Sequence, residues 1–390
     1  MKYNFDKVID RSGTSAEKVE GLKHIWGRTD LIPLWVADMD FATAPFVTDA
    51  IRKRCENEVL GYTGKPDSYY NAIINWVKQR YDLIVTKEVI NFVPGIVPGI
   101  GMAMNCFTQK GDKVMIQPPV YHPFAWVTTR NERTLVINPL KWENGMYRMD
   151  LDAFREQIKG CKLFILCNPH NPGGVVWTEA ELRAIADICY DEKVLVFSDE
   201  IHADLTLPPH THRPFATVCE KARMNSVTFM SPSKAFNMPG LSASHALIFN
   251  EDLRKRFRIY MDAGELDMGH VFAFLSVEAA YSHGTEWLDQ CLAYIQGNID
   301  FVDEFLKKHA PKIKAIRPEA SYLVWLDCRE LELSQKDLNE FFVDKAHLAL
   351  NDGEMFGKEG IGFMRLNVAS PRCIIEKAMK QLADAYQLYI

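Results

Sequence analysis

Short apolar runs recur through the middle of the chain and alternate with stretches of helical period. KVMIQ at 113–117, LVIN at 135–138, LFILC at 163–167, VLVFSD at 194–199, SVTFM at 226–230 and HALIFN at 245–250 each read as a strand. A continuous apolar run of that length suits a strand buried on both faces. Between LFILC and VLVFSD, Leu182, Ile185, Ala186 and Cys189 recur at spacings of three and four, and Thr178 stands three residues before Glu181. A capped helix over 179–192 is therefore predicted. The alternation predicts an α/β fold with a mostly parallel sheet between helices, and such sheets place ligands beyond the carboxyl ends of their strands. Site residues should follow the apolar runs.

After about residue 285 the pattern changes. A long helical stretch from Glu286 to Lys308 precedes strand-like KIKAI and SYLVWLD, a helix near 334–346, the run FMRLNV at 363–368 and a last helix from about 373. This reads as a smaller α+β unit. The first 45 residues have no strong period, and LIPLWVADMDF within them looks like an extended segment that packs on something else. The expected division is a large domain at 46–285 and a small one made of 1–45 and 286–390. The charged run EDLRKRFR at 251–258 suits a solvated helix face, and no internal repeat or low-complexity linker is present.

Composition narrows the function. The 390 residues carry 45 Lys and Arg against 51 Asp and Glu, a net charge of −6, which gives no global positive field for a nucleic-acid partner. No apolar run approaches the ~18 residues of a membrane span, and the N-terminal sequence lacks an export-signal pattern, so the expectation is a cytoplasmic protein. Nine cysteines form an odd set without a Cys-x-x-Cys pair, and several lie in apolar stretches. Buried free thiols in a reducing compartment fit that usage.

Four segments could carry chemistry, each just after a predicted strand. In FVPGIVPGIG at 92–101, glycines and a proline at a helix start leave backbone N–H groups, those of Ile96 and Val97 among them, free to meet an anion. It lacks both the P-loop ending and the dinucleotide spacing, so taken alone a plain turn explains it. In NPHNPGG at 168–174, two Asn-Pro pairs fix the backbone and aim the Asn171 amide. In FSDEIHAD at 197–204, Asp199 ends an apolar strand, and a buried carboxylate there calls for something positive opposite. His202, Asp204, His210 and His212 offer a rival zinc set, disfavoured by Pro208 and Pro209 between them. In SPSKAFNMPGL at 231–241, Lys234 follows two hydroxyls and is either a snorkelling surface amine or a functional one.

Taken together, the anion cup, amide donor, strand-end acid and strand-end lysine resemble the site of the fold-type I pyridoxal phosphate enzymes of the aspartate aminotransferase superfamily. His170-Asn171-Pro172, Asp199-Glu-Ile-His202 and Ser231-x-Ser-Lys234 carry the resemblance, and WVADMDF near the start and Met364-Arg365-Leu366-Asn367 near the end extend it over nearly the whole chain. WVADMDF, DEIHAD and SPSKAFNMPGL are most similar to the MalY/PatB group of cystathionine β-lyases. The resemblance implies pyridoxal 5′-phosphate joined to Lys234, which also serves as general base, and Asp199 against the pyridine nitrogen. It implies Asn171 on the phenolic oxygen, Tyr121 stacked on the ring, and the phosphate on Ile96 and Val97 with Ser231 and Ser233. It further implies Tyr62 supplied to the phosphate by the other subunit of a homodimer, and Arg365 on the substrate carboxylate near Val36 and Ala37. Some members of the group also have a regulatory protein partner, but no segment here encodes that role.

Two positions depart from the aminotransferase pattern. His202 stands where those enzymes usually carry tyrosine, and Ser242 where many carry arginine. The histidine agrees with the lyase group, so the expected reaction is β-elimination on L-cystathionine or a related cysteine S-conjugate. An aminotransferase acting on an L-amino acid and a 2-oxo acid is the alternative.

Overall fold

The computed structural model describes residues 2–389. Seven strands form the central sheet: β1 (Ile90–Val93), β2 (Lys113–Ile116), β3 (Thr134–Ile137), β4 (Cys161–Cys167), β5 (Leu195–Asp199), β6 (Ser226–Met230) and β7 (Ser244–Leu247). Their order is β1-β7-β6-β5-β4-β2-β3. The strands from β6 through β5, β4 and β2 to β3 pair in parallel, while β7 lies antiparallel between β1 and β6. Every residue of β6 is buried, as are all but Lys162 of β4, which is why these strands read as unbroken apolar runs.

The predicted helix runs from Glu179 to Asp191, and its start closes the anticipated box: Glu181 N–H donates to Thr178 Oγ1, and Thr178 N–H donates to Glu181 Oε2. All four of its periodic apolar residues are buried against the sheet. A second, antiparallel sheet follows, of β8 (Lys314–Ile316), β9 (Leu323–Asp327), β10 (Asn351–Asp352) and β11 (Phe363–Asn367), in the order β8-β9-β11-β10. Helices Thr285–His309 and Arg372–Tyr389 flank it, and one apolar core runs from Phe5 through Trp76 and Phe236 to Tyr386.

Three features differ from expectation. A helix over Glu17–Trp26 was not anticipated, because its buried face carries Lys18 and Gly21 beside Leu22, which gives no apolar period. Asn144 and Gly145, at φ 50° and 82°, turn a small hairpin between Lys141–Glu143 and Met146–Arg148. The helix expected near 334–346 is α-helical only over Gln335–Glu340 and widens into a π turn at Phe341–Lys345. WVADMDF is the extended segment predicted, with Met39 and Phe41 in the core. In the charged run at 251–258, which lies on the helix Glu251–Ala263, Arg254 donates to the Ile248 and Phe249 carbonyls and Arg258 to Asn91.

All nine cysteines are free. Five are buried, but Cys55 and Cys373 are exposed, a correction to the expectation of buried thiols. Among the described residues no helix is long and apolar enough to cross a membrane.

Candidate active site

Strand register brings the four segments to one edge of the sheet. Cys167, the last residue of β4, pairs with Asp199, the last of β5, and Asp199 pairs with Phe229 of β6. Val93 at the end of β1 pairs with Ser244 at the start of antiparallel β7. The loops after β1, β4, β5 and β6 therefore emerge level with one another, around a cavity of about 200 Å³. Its walls include Ala37, Ile96, Val97, Tyr121, Asn171, Asp199, His202, Ser233 and Lys234. Nine of the sequence-predicted site residues thus meet at one place.

One end of the cavity is a helix start. Gly95 adopts φ 120°, a conformation that side-chain-bearing residues avoid, and helix Ile96–Phe107 begins directly after it without a side-chain cap. The first N–H groups of a helix have no partner within it. Pro98 has no N–H and Gly99 N–H donates to Gly95 O, which leaves the Ile96 and Val97 N–H groups as donors at the cavity. Ser233, Ser242 and Ser244 also line the cavity.

At the other end the charges are buried and incompletely matched. Burial pushes the Asp199 carboxyl up to about 7, against the Ile201 N–H bond to its Oδ1 at 3.1 Å, which acts the other way. Lys234 is brought down to about 8 by desolvation, with Asp38 and Asp199 favouring its charge and Arg365 opposing it. His202 is held near 3 by burial, with Lys234 and Arg365 adding to the effect, so its imidazole is neutral. Its Nδ1 is buried without a partner among the described residues. Burial also raises the Tyr121 hydroxyl, and the ring sits edge-on to Phe124 at 5.7 Å.

Arg365 lies next to the cavity on β11 and reaches it through Asn171, donating to Asn171 Oδ1 at 3.1 Å. It also donates to Asn351 Oδ1 at 2.5 Å and Trp35 O at 3.1 Å. The guanidinium is buried, stacks over Phe356 at 4.8 Å, and has no carboxylate in salt-bridge range among the described residues. With Oδ1 turned to Arg365, the Asn171 amide nitrogen faces the opposite way.

Two expected residues stand elsewhere. Ser231 donates to Ala243 O at 2.7 Å and accepts from Ser233 N–H at 3.1 Å, so its hydroxyl sits behind the cavity wall and steadies Ser233. Tyr62 is 98% exposed and lines a separate surface cleft with Leu60, Lys65 and His270. Of the rival zinc residues, His212 bonds Glu200 at 2.8 Å, and Asp204 bonds Trp76 and the Tyr81 hydroxyl. Among the described residues no group of three His, Cys, Asp or Glu is arranged to hold a metal ion.

Several residues at the site went unassigned in the sequence. Ser244 opens β7, an apolar run, and nothing marked it as lining a cavity. Tyr322 and Asn367 end up beside Lys234 and the 35–38 segment through contacts nearly 200 residues or more apart, beyond any local signal. Asn367 entered only as the end of the Met364-Arg365-Leu366-Asn367 run, with no role of its own, two residues after Arg365 and on the same face of one strand.

The comparisons with known proteins agree with this geometry. Residues 29–382 match the family model of class I and II aminotransferases. The chain is 38% identical to cystathionine β-lyase PatB of Bacillus subtilis (strain 168), covering 98% of this chain and 99% of that one. It is 30% identical to protein MalY of Escherichia coli (strain K12), covering 98% of each. The crystal structure of cystalysin from Treponema denticola, which contains pyridoxal 5′-phosphate, superposes with a TM-score of 0.96 at 33% identity over 99% of both chains. Matched from end to end by PatB and MalY, the chain belongs to the class I and II aminotransferase family and, within it, to the group those two proteins represent.

Proposed function

We propose that the protein is a pyridoxal 5′-phosphate-dependent carbon–sulfur β-lyase that cleaves L-cystathionine or a related cysteine S-conjugate into a thiol, pyruvate and ammonia. The observation that carries this reading is one cavity walled by the Lys234 amine, the Asp199 carboxyl and the N–H end of helix Ile96–Phe107. The fit can be tested on the residues themselves. A buried carboxyl that accepts one hydrogen bond and is pushed up to about 7 has room for a cationic partner such as a pyridinium nitrogen. A helix start with two unspent N–H groups and three hydroxyls suits a phosphate. Lys234 would hold the cofactor covalently, Tyr121 would stack on its ring, and the Asn171 amide would donate to its phenolic oxygen.

When bound, the cofactor supplies an electron sink for the pair left on the substrate Cα. The chain's own residues do the rest. Arg365, planar and without a carboxylate of its own, takes the substrate α-carboxylate on the N–H groups that Asn171, Asn351 and Trp35 leave unspent, with Asn171 alongside. Held there, and once its own amine has displaced Lys234 from the cofactor, the substrate would present its Cα proton to the freed Lys234 amine; desolvation to about 8 keeps a useful fraction of that amine neutral near pH 7. The thiolate then leaves Cβ, and water completes the release of pyruvate and ammonia. Neutral His202 adds no charge that would compete with Asp199.

The 98% exposed Tyr62 supports a homodimer in which this side chain reaches the neighbour's phosphate site. We further propose that 46–285 form the cofactor-binding unit and that 1–45 with 286–390 form the smaller one; the seven-stranded and four-stranded sheets fall on either side of that division. Nine free cysteines support residence in the cytoplasm. The deciding experiment incubates the cofactor-loaded enzyme with L-cystathionine and no 2-oxo acid. Release of pyruvate and homocysteine is expected, whereas turnover only with an added 2-oxo acid would make the protein an aminotransferase.

A further inference from the structure

Four successive backbone carbonyls, those of Trp35, Val36, Ala37 and Asp38, accept hydrogen bonds from side chains at the site. Arg365 Nη2 donates to Trp35 O at 3.1 Å. Asn367 Nδ2 donates to both Val36 O and Asp38 O, each at 2.6 Å. Between these two, Ala37 O accepts from Lys234 Nζ at 2.5 Å and from the Tyr322 hydroxyl at 2.9 Å. The segment has no regular strand partner here, so these donors dictate where its carbonyls point.

Asn367 is itself fixed. It is fully buried on β11, its N–H donates to Leu34 O at 2.9 Å, and its Oδ1 accepts from Ala369 N–H at 2.8 Å. With the amide oxygen committed, the nitrogen must face the two carbonyls, a task that only a carboxamide of this length performs. An aspartate would turn oxygen against oxygen.

From this clamp we infer that Asn367 is a positioning residue for Lys234: by holding the carbonyls on either side, it presents Ala37 O as the acceptor of the lysine amine during proton transfer, with Tyr322 as a rival donor on that oxygen. The inference rests on Lys234 being the base. A carbonyl dipole attracts an ammonium more than an amine, so Ala37 O favours the protonated form that exists just after the Cα proton is taken. An amine that spends one N–H on the carbonyl also has its lone pair turned off the loop. A carbonyl already accepting from a hydroxyl has less to offer, so Tyr322 weakens the effect. The charged and titratable groups around the amine are Asp38, Arg365, Asp199, His202, Tyr121 and Tyr322, and the Asn367 substitution removes none of them.

The pH profile of kcat for the cofactor-loaded enzyme tests the inference, because its acid limb reports the base in the substrate complex. Asn367→Ala should move that limb down by about one pH unit, the worth of one hydrogen bond to a charged group, with kcat falling more than KM rises. Tyr322→Phe should move it up, by roughly half as much. A role in folding alone gives no such opposed pair. Limbs unmoved in both variants, or moved in the same direction, overturn the inference. Should Asn367→Ala fail to fold, Tyr322→Phe decides by itself: an unmoved or lowered limb sinks the idea. The same shifts are expected in pH-dependent acylation of Lys234, followed by mass spectrometry on the full chain after the cofactor is stripped. That measurement needs no turnover, so it stands even if the lyase reading falls.

Discussion

Arg365 Nη1 donates to Asn171 Oδ1 across 3.1 Å, and that bond ties β11 of the small sheet to the loop after β4 of the large one. In the proposed function, the pair would couple carboxylate recognition to orientation of the amide that would meet the cofactor. Because the guanidinium is buried without an acidic partner, its charge stays available to a substrate.

Arg365→Lys should therefore be far from conservative. An ammonium cannot serve Asn171, Asn351, Trp35 O and a carboxylate as one planar fork does. We expect KM for L-cystathionine to rise about 100-fold, on the order of 3 kcal/mol, while the bound cofactor keeps its visible band. Steady-state kinetics beside an absorbance spectrum check this, and an unchanged KM would remove Arg365 from substrate binding.

Asp199 contributes a pH-dependent part of the stability of the cofactor-free protein. Its carboxyl is pushed up to about 7 by burial, so between about pH 4 and 7 the folded chain holds a proton that the unfolded chain has released. Stability from this group is thus lost as pH rises through that window. Asp199→Asn carries no such penalty and should be more stable than wild type at pH 8, by up to about 4 kcal/mol, with no gain at pH 4. Thermal unfolding of both cofactor-free proteins at the two pH values measures it. The same substitution should abolish elimination when the cofactor is added, since nothing then keeps the ring nitrogen protonated.

The strands and their loops could be read from the chain because β4, β5 and β6 are buried on both faces, and each functional residue follows within a few positions of a strand end. Asp199, Asn171 and Lys234 were legible for that reason. What stayed hidden depends on distant partners. Lys18 is 0% exposed and bonds Asp40 at 2.8 Å, so the helix it sits on buries a charge where a period-based reading looks for an apolar residue. Ser231 was expected at the phosphate because the family resemblance implies it, yet a motif does not tell which of two hydroxyls turns inward; Ala243 O, twelve residues on, claims that one. Tyr322 and Asn367 reach the site through the second sheet, whose packing on the 35–38 segment no local pattern encodes.

Lys234→Ala should leave the fold intact and remove the chemistry. The side chain is half-buried and donates to a single carbonyl, and its truncation frees Asp199 and Asp38 of a cation without cutting a strand bond. Reconstituted protein should lack the absorbance of covalently held cofactor and release no pyruvate, while circular dichroism matches wild type. A retained visible band after dialysis would place the covalent link elsewhere.

Tyr62 offers a test of shared sites that neither chain can pass alone. It is exposed beside Val59 and Leu60, also exposed, on an irregular segment between helices Pro45–Cys55 and Asp67–Tyr81. Such an apolar tip is costly to leave in water and suits burial against a second copy. If each site takes Tyr62 from one chain and Lys234 from the other, Tyr62→Ala and Lys234→Ala proteins should both be weak, and mixed dimers should regain one intact site. Random exchange of subunits from an equal mixture then restores roughly a quarter of wild-type turnover, since half the dimers are hybrids with one intact site of two. Mixing under mild denaturant and renaturing, followed by a pyruvate assay, gives the answer. Activity no higher than the sum of the separate variants would mean that each site is built from one chain.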